Sequence, residues 1–174
     1  MGMKRIGIAL CITATFWACN QQRGSEDIGA VEEGDNTEVL EAGVTDVLSV
    51  YMNLKDALVQ TDFEATKEAG RVFEEVTKGN VDAAYEKALI SITRKIIAAQ
   101  DVEAQRVEFE QVSVLMYALA ENGQFETVGK TIYKQYCPMA FESRGAYWLS
   151  MDESILNPYF GNRMLNCGYT EKTL

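Results

Sequence analysis

From position 44 onward, apolar residues return every three or four places. Val44, Val47, Leu48, Tyr51, Leu54 and Leu58 form one such stripe, the spacing that lines up side chains along one side of a helix. Thr61 followed by Glu64 has the spacing of a capping box and predicts that a second helix starts at once, with Phe63, Ala69, Val72, Phe73 and Val76 facing inward. Gly79 stops it. Asn80 then predicts the cap of a third helix, whose stripe is Val81, Ala84, Tyr85, Ala88, Leu89, Ile92, Ile96 and Ala99. Asp101 predicts the cap of a fourth, with Val102, Phe109, Val112, Met116 and Leu119 inward and "ENG" closing it near Gly123. Such short connections force consecutive helices antiparallel, so residues 42–123 are expected to form an up-and-down four-helix bundle. Lys67, Glu68, Arg71, Glu74 and Glu75 fall off the stripes and read as a solvated face. Arg106 lies nearer the stripe and is expected to pair with a buried acid or a carbonyl.

After Gln124 the helical rhythm fades and aromatic residues, Gly and Pro take over. "TIYKQYC" and "AYWLS" read as short extended pieces, and Ser150 with Glu153 predicts a single helical turn at "MDESI". "NPYFGN" carries two turn signals, Asn157 before Pro158 and Gly161 before Asn162. The fold class expected is therefore mainly α: a four-helix bundle with a small irregular cap over residues 124–174 that contains short strands and belongs to the same domain.

The N-terminal stretch has a different character. Lys4 and Arg5 precede an apolar run from Ile6 to Trp17, the pattern of a secretory signal peptide over residues 1–18 and too short for a stable membrane span. "FWAC" looks like a bacterial lipoprotein cleavage box in which Cys19 becomes the lipidated first residue of the mature chain, although Trp17 stands where a small residue is usual. An ordinary signal peptide with a stray cysteine is the alternative. Residues 19–41 are rich in Gly, Ser, Asn and acid and sustain no apolar period, so they read as a flexible acidic tether. An acidic tail that binds a partner is the other reading. The expected location is the bacterial cell envelope, at the periplasm or outer membrane, with the membrane reached through the lipid anchor.

Composition narrows the chemistry. The chain has 174 residues, enough for one domain with a real core, and a formal net charge of -10. That charge repels phosphate backbones, which argues against a nucleic-acid partner. It contains no histidine, and a cysteine without a histidine lacks the usual base for nucleophilic attack. Neither HExxH, GxSxG, a phosphate-binding loop nor a dinucleotide fingerprint occurs, so no enzymatic activity is expected. Once Cys11 leaves with the signal and Cys19 carries lipid, Cys137 and Cys167 are the cysteines left to the domain. Met139 follows the first by two positions and Met164 precedes the second by three.

Those four sulfurs admit several readings. Thiolates and thioethers are soft donors that select Cu(I) or Ag(I), and two such arms are able to converge on one ion, with the neighbouring aromatics keeping water away. In an oxidising envelope the same two thiols tend toward a disulfide. Closing a loop of about thirty residues would stabilise the domain by roughly 3 to 4 kcal/mol in the chain-entropy model. Met139 and Met164 would then fill gaps or touch Trp148 or Phe160. Two free thiols are the third reading.

"YCPMAF", "GAYWLS" and "ILNPYFGNRMLNCG", in that order, closely resemble the C-terminal motif of a bacterial domain family of unknown function. That family occurs as small envelope lipoproteins and as an extra domain on periplasmic adaptor subunits of copper and silver efflux pumps. The likeness runs from about Val44 to Leu174, with support from the "YMNLKDALVQTD" and "AQRVEFEQVSVLMYAL" helices. It implies that Cys137, Met139, Met164 and Cys167 occupy the family's Cys and Met positions, that Pro138, Asn157, Pro158, Tyr159 and Gly161 match its framework, and that an efflux adaptor is a candidate partner. Two departures stand out: Leu156 where many relatives carry arginine, and Tyr136 where many carry histidine. The function expected is binding of Cu(I) or Ag(I) for buffering or delivery to an efflux system. The alternative is a non-catalytic helical interaction module stapled by a Cys137–Cys167 disulfide.

Overall fold

The structure is a computed structural model and describes residues 46–125 and 130–174. The expected signal peptide, the tether, Cys11, Cys19 and Val44 lie outside the described residues.

Four helices follow in chain order, and each starts on an aspartate. α1 spans Val47–Val59, with the Asp46 carboxylate accepting from the Ser49 amide. α2 spans Phe63–Thr77 and is capped by Asp62, which accepts from the Ala65 amide at 2.9 Å. The capping box expected at Thr61 does not form. Thr61 adopts φ of 59°, and its hydroxyl accepts from Arg106. α3 spans Ala83–Ala98 with Asp82 at its cap, in place of Asn80, whose side-chain amide instead donates to the Val76 carbonyl and closes α2. α4 spans Val102–Glu121 on Asp101, the cap read from the sequence. A carboxylate at these positions satisfies an orphan amide and complements the helix dipole, so it prevails over the neighbouring Thr and Asn.

The helices pack in order, α1 on α2, α2 on α3 and α3 on α4, as a bundle. Its interior is Tyr51, Leu54, Leu58, Phe73, Leu89, Ile96, Phe109, Val112, Met116 and Leu119, all buried. Tyr51 and Phe109 stack at 5.4 Å between centroids. Two residues expected inward, Val72 and Ala84, are exposed, while Thr66, Thr77 and Thr93 take buried places. Two of these hydroxyls return to the preceding turn, Thr66 to the Asp62 carbonyl at 2.6 Å and Thr77 to the Phe73 carbonyl at 2.7 Å, whereas the Thr93 hydroxyl is buried without a partner.

The cap is a three-stranded antiparallel sheet. β1 (Tyr133–Cys137) is central, with β2 (Ala146–Ser150) on one side and β3 (Tyr169–Thr173) on the other. β1 and β2 are the two extended pieces read from the sequence; β3, exposed throughout, was not anticipated. "MDESI" bends without forming the expected helical turn. Ser150 belongs to β2, and its hydroxyl accepts from the Asp152 amide two residues on. Gln135, buried on β1, then draws the bend in by donating to the Asp152 carbonyl at 2.9 Å.

Side chains from three places on the bundle tie the cap down. β2 packs on α4 and has one unpaired edge, where the Leu149 amide donates to the Tyr51 hydroxyl at 3.1 Å. Arg144, beyond β1, pairs with Glu110 of α4 through both carboxylate oxygens. Arg106, the residue read as near the stripe, is 1% exposed and donates to the carbonyls of Leu58 and Pro158 as well as to Glu103.

Candidate functional site

Cys137 is the last residue of the central strand, in register with Ala146, and is fully buried. Cys167 lies thirty positions later in the turn that leads into β3 and is partly exposed. Pairing of Tyr136 with Tyr169 brings the end of β1 beside this turn, and the two sulfurs stand 3.0 Å apart as thiols. The side chains of Gln135 and Cys137 share one face of β1, and alternation puts Tyr136 on the other. There the Tyr136 ring covers Gly145 and meets Tyr169 edge-on at 5.8 Å. Tyr136 is thus not on the face that bears the Cys137 thiol.

The turn that presents Cys167 is built by Asn157. Its side-chain amide donates to the Cys167 carbonyl at 2.7 Å, while its oxygen accepts from the amides of Tyr159 and Phe160. Its backbone amide donates to Leu165 at 2.8 Å, and the Cys167 amide donates to the Met164 carbonyl at 3.1 Å. Asparagine suits the place because it carries donor and acceptor together on a short side chain. Gly161, at φ of 52°, closes the turn where any side chain would run into Thr61 and Arg106. Gly168, at φ of 142°, lies between the Tyr136 carbonyl and the Trp148 ring, which leaves no room for a β-carbon there either.

The two methionines stand near this pair along the chain, Met139 two positions after Cys137 and Met164 three before Cys167. Met139 has left the strand, with φ of -86° and ψ of -12°, so the two-residue spacing from Cys137 spans a turn rather than an extended segment. Met164 ends a short 3-10 turn, Gly161–Arg163. Met139 is 51% exposed and Met164 37% exposed, so neither is the buried gap-filler of the disulfide reading. Of the aromatics expected around the sulfurs, Trp148 is fully buried and meets Tyr159 edge-on at 5.9 Å. The site therefore pairs a buried thiol with a partly exposed one, and each cysteine is followed or preceded within three residues by an exposed methionine. Burial, together with the adjacent Cys137, pushes the Cys167 thiol up to about 11.

After Met139 comes a strained turn. Phe141, Glu142 and Ser143 take φ of 51°, 58° and 68°, three consecutive non-glycine residues in the left-handed region, each at a cost of about 1 to 2 kcal/mol. Packing holds it. Phe141 meets Tyr159 edge-on at 5.2 Å, and Arg144 reaches Glu110. No sequence signal marked this turn, since none of its three residues favours positive φ.

Among the described residues, no group of three or more His, Cys, Asp or Glu side chains is placed to hold a metal ion, and no helix is long and apolar enough to cross a membrane. The candidate donors are thus the sulfur set itself. Cys19, the expected lipidation site, lies outside the described residues. No curated protein and no solved structure matches the chain. The sulfur-bearing turns lie beyond the span that a family model does match, which covers the bundle. Residues 47–127 match the family described as "Protein of unknown function (DUF3347)".

Proposed function

We propose that the cap binds one soft monovalent ion, Cu(I) or Ag(I), through the thiolates of Cys137 and Cys167 with thioether donation from Met139 and Met164. The protein would act without catalysis, buffering the ion or delivering it to an efflux adaptor from an envelope membrane to which lipidated Cys19 anchors it. The observation that carries this reading is the meeting of two thiols thirty positions apart, each within three residues of an exposed methionine. Soft donors of this kind discriminate against calcium and magnesium, which need oxygen, and zinc with two thioethers would be unusual. Binding releases the thiol protons, so affinity rises with pH while the thiols remain protonated.

The fit requires a small adjustment. Two sulfurs each about 2.3 Å from one ion stand roughly 3.8 Å apart at a tetrahedral angle, against the 3.0 Å of the free thiols. Cys167 sits in a turn at the edge of the fold, where a shift of this size is accommodated more readily than in the central strand.

A second reading is favoured by the closeness of the same sulfurs. Oxidation would join them and leave a stapled, non-catalytic domain whose helical surface docks on an envelope partner. Two measurements separate the readings. Titration with Cu(I) under reducing conditions, in competition with a chromogenic chelator, should give one equivalent, weakened on combining Met139→Ala with Met164→Ala; an unchanged affinity discards the four-sulfur site. Intact mass after alkylation without reductant finds both cysteines blocked if the staple is the resting state.

A further inference from the structure

The paired cysteines differ in a way that neither reading uses. Cys137 is fully buried at the end of the central strand, whereas Cys167 is partly exposed in a turn. An incoming disulfide needs an in-line approach to the attacking sulfur. Of the two residues, Cys167 is the one that solvent reaches.

We infer that the pair is an ordered thiol–disulfide exchange site for low-molecular-weight disulfides, in which Cys167 is the entry sulfur and Cys137 the resolving sulfur. The Cys167 thiolate attacks one sulfur of the reagent. A mixed disulfide forms, and the reagent's own S–S bond breaks to release one thiol. Cys137, which faces Cys167 across 3.0 Å, then gives up its proton to solvent and attacks the Cys167 sulfur, expelling the second thiol. The balance is one protein dithiol and one reagent disulfide going to one protein disulfide and two reagent thiols. Both electrons come from the protein and both are taken up by the reagent. The intermediate is short-lived because the resolving sulfur is already beside it.

The consequence for the ion rests on the proposed metal reading. A disulfide sulfur has lost its anionic charge and is a poor ligand for Cu(I) or Ag(I), so exchange at Cys167 shuts the site and reduction reopens it. The exposed methionines remain, but two thioethers without a thiolate hold such an ion weakly.

The test begins with the full-length wild-type chain, so that no variant has to fold. Reduced protein receives a substoichiometric pulse of N-ethylmaleimide, and the ratio of label at Cys167 to label at Cys137 is read by peptide mapping. Cys167 is expected to lead by about tenfold or more, since Cys137 reacts only after local opening. Equal labelling, or Cys137 first, overturns the order. Oxidised glutathione is then added to Cys137→Ser and Cys167→Ser. Accumulation of a mixed disulfide on Cys137→Ser but not on Cys167→Ser supports the assignment, and the reverse pattern overturns it. Finally, Ag(I) binding is measured on reduced and on glutathione-oxidised wild type. Loss on oxidation supports the coupling, and equal binding in both states overturns it. Absence of binding in both states overturns the metal reading, while the order of attack is still judged by the maleimide ratio.

Discussion

Arg106 offers the sharpest test of how the bundle holds the cap. Methionine in its place keeps an unbranched apolar stem and removes the guanidinium with its four hydrogen bonds. Their losses are unequal. The Leu58 carbonyl keeps the Thr61 amide at 3.0 Å, and Glu103 is 57% exposed and keeps Arg163 at 2.9 Å. Thr61 is exposed, so water replaces the arginine at its hydroxyl. The buried Pro158 carbonyl, which accepts from Nε at 2.9 Å, is the group left without its donor. One orphaned buried acceptor costs about 1 to 3 kcal/mol, and the loss of the charge-assisted bond to Leu58 adds to it. Relief from burying a guanidinium offsets part of this. Arg106→Met is therefore expected to destabilise by about 2 to 3 kcal/mol, which is roughly 6 to 9 °C in Tm for a domain of this size. Thermal unfolding followed by far-UV circular dichroism measures it. Glu103→Gln is the control: Glu103 is 57% exposed, and the glutamine amide oxygen still accepts from the buried guanidinium, so a smaller loss of about 1 kcal/mol is expected. Hydrogen exchange should also quicken at the Gly161 amide, which donates to Asn157 in the turn that Arg106 holds. If Arg106→Met melts with the wild type, or Glu103→Gln costs as much, the orphaned carbonyl is not what the arginine prevents.

Tyr51→Phe removes the hydroxyl that caps the open edge of β2 and meets Ser113 at 2.8 Å; with both partners buried, a loss of about 1 to 3 kcal/mol is expected, read as a lower urea midpoint at unchanged m-value. Gly161→Ala places a β-carbon against Thr61 Oγ1, 2.7 Å from Arg106 Nη2 and 2.9 Å from the Val59 carbonyl, and should cost more than about 3 kcal/mol by thermal melt. The comparison variant Gly79→Ala, at φ of 73° with nothing within 4 Å of the new atom, should cost only the left-handed penalty of about 1 to 2 kcal/mol; equal losses at the two glycines would refute the steric account.

The bundle was legible because its signal is local and repeated. Stripes such as Tyr51, Leu54 and Leu58, or Phe109, Val112, Met116 and Leu119, fix helix, face and partner at once. Errors arose where two capping residues stood close together. Thr61 and Asn80 were read as caps, but Asp62 and Asp82 hold those positions, and only tertiary structure shows that the Thr61 hydroxyl is engaged by Arg106. Val72 was read as buried from its period alone, although it lies at the margin of the α2 stripe and is 41% exposed. The cap was less legible for a different reason. β3, "YTEKT", is polar and exposed, so it carries no alternating pattern, and its existence depends on pairing with a strand thirty-odd positions earlier. The sulfur set could be named from residue types, but its grading from a buried thiol to exposed thioethers follows from strand register and the Asn157 turn, which no spacing encodes.

That grading bears on what the bundle contributes. Cys137 belongs to a central strand tied to α1 through Tyr51 and β2, and to α4 through the neighbouring Arg144–Glu110 pair, so its sulfur is fixed relative to the core. Cys167 is held in its turn, where Asn157 grips its carbonyl and Met164 its amide, just before the edge strand β3 pairs with β1. If the pair is to open from 3.0 Å to the roughly 3.8 Å that two thiolates on one ion need, the movement falls on Cys167, and the compliance of the Asn157 turn sets its cost. A stiffer turn would favour the disulfide and a looser one the ion. Arg106 holds the Pro158 carbonyl next to Asn157, so on the proposed reading the helices would help to set that balance.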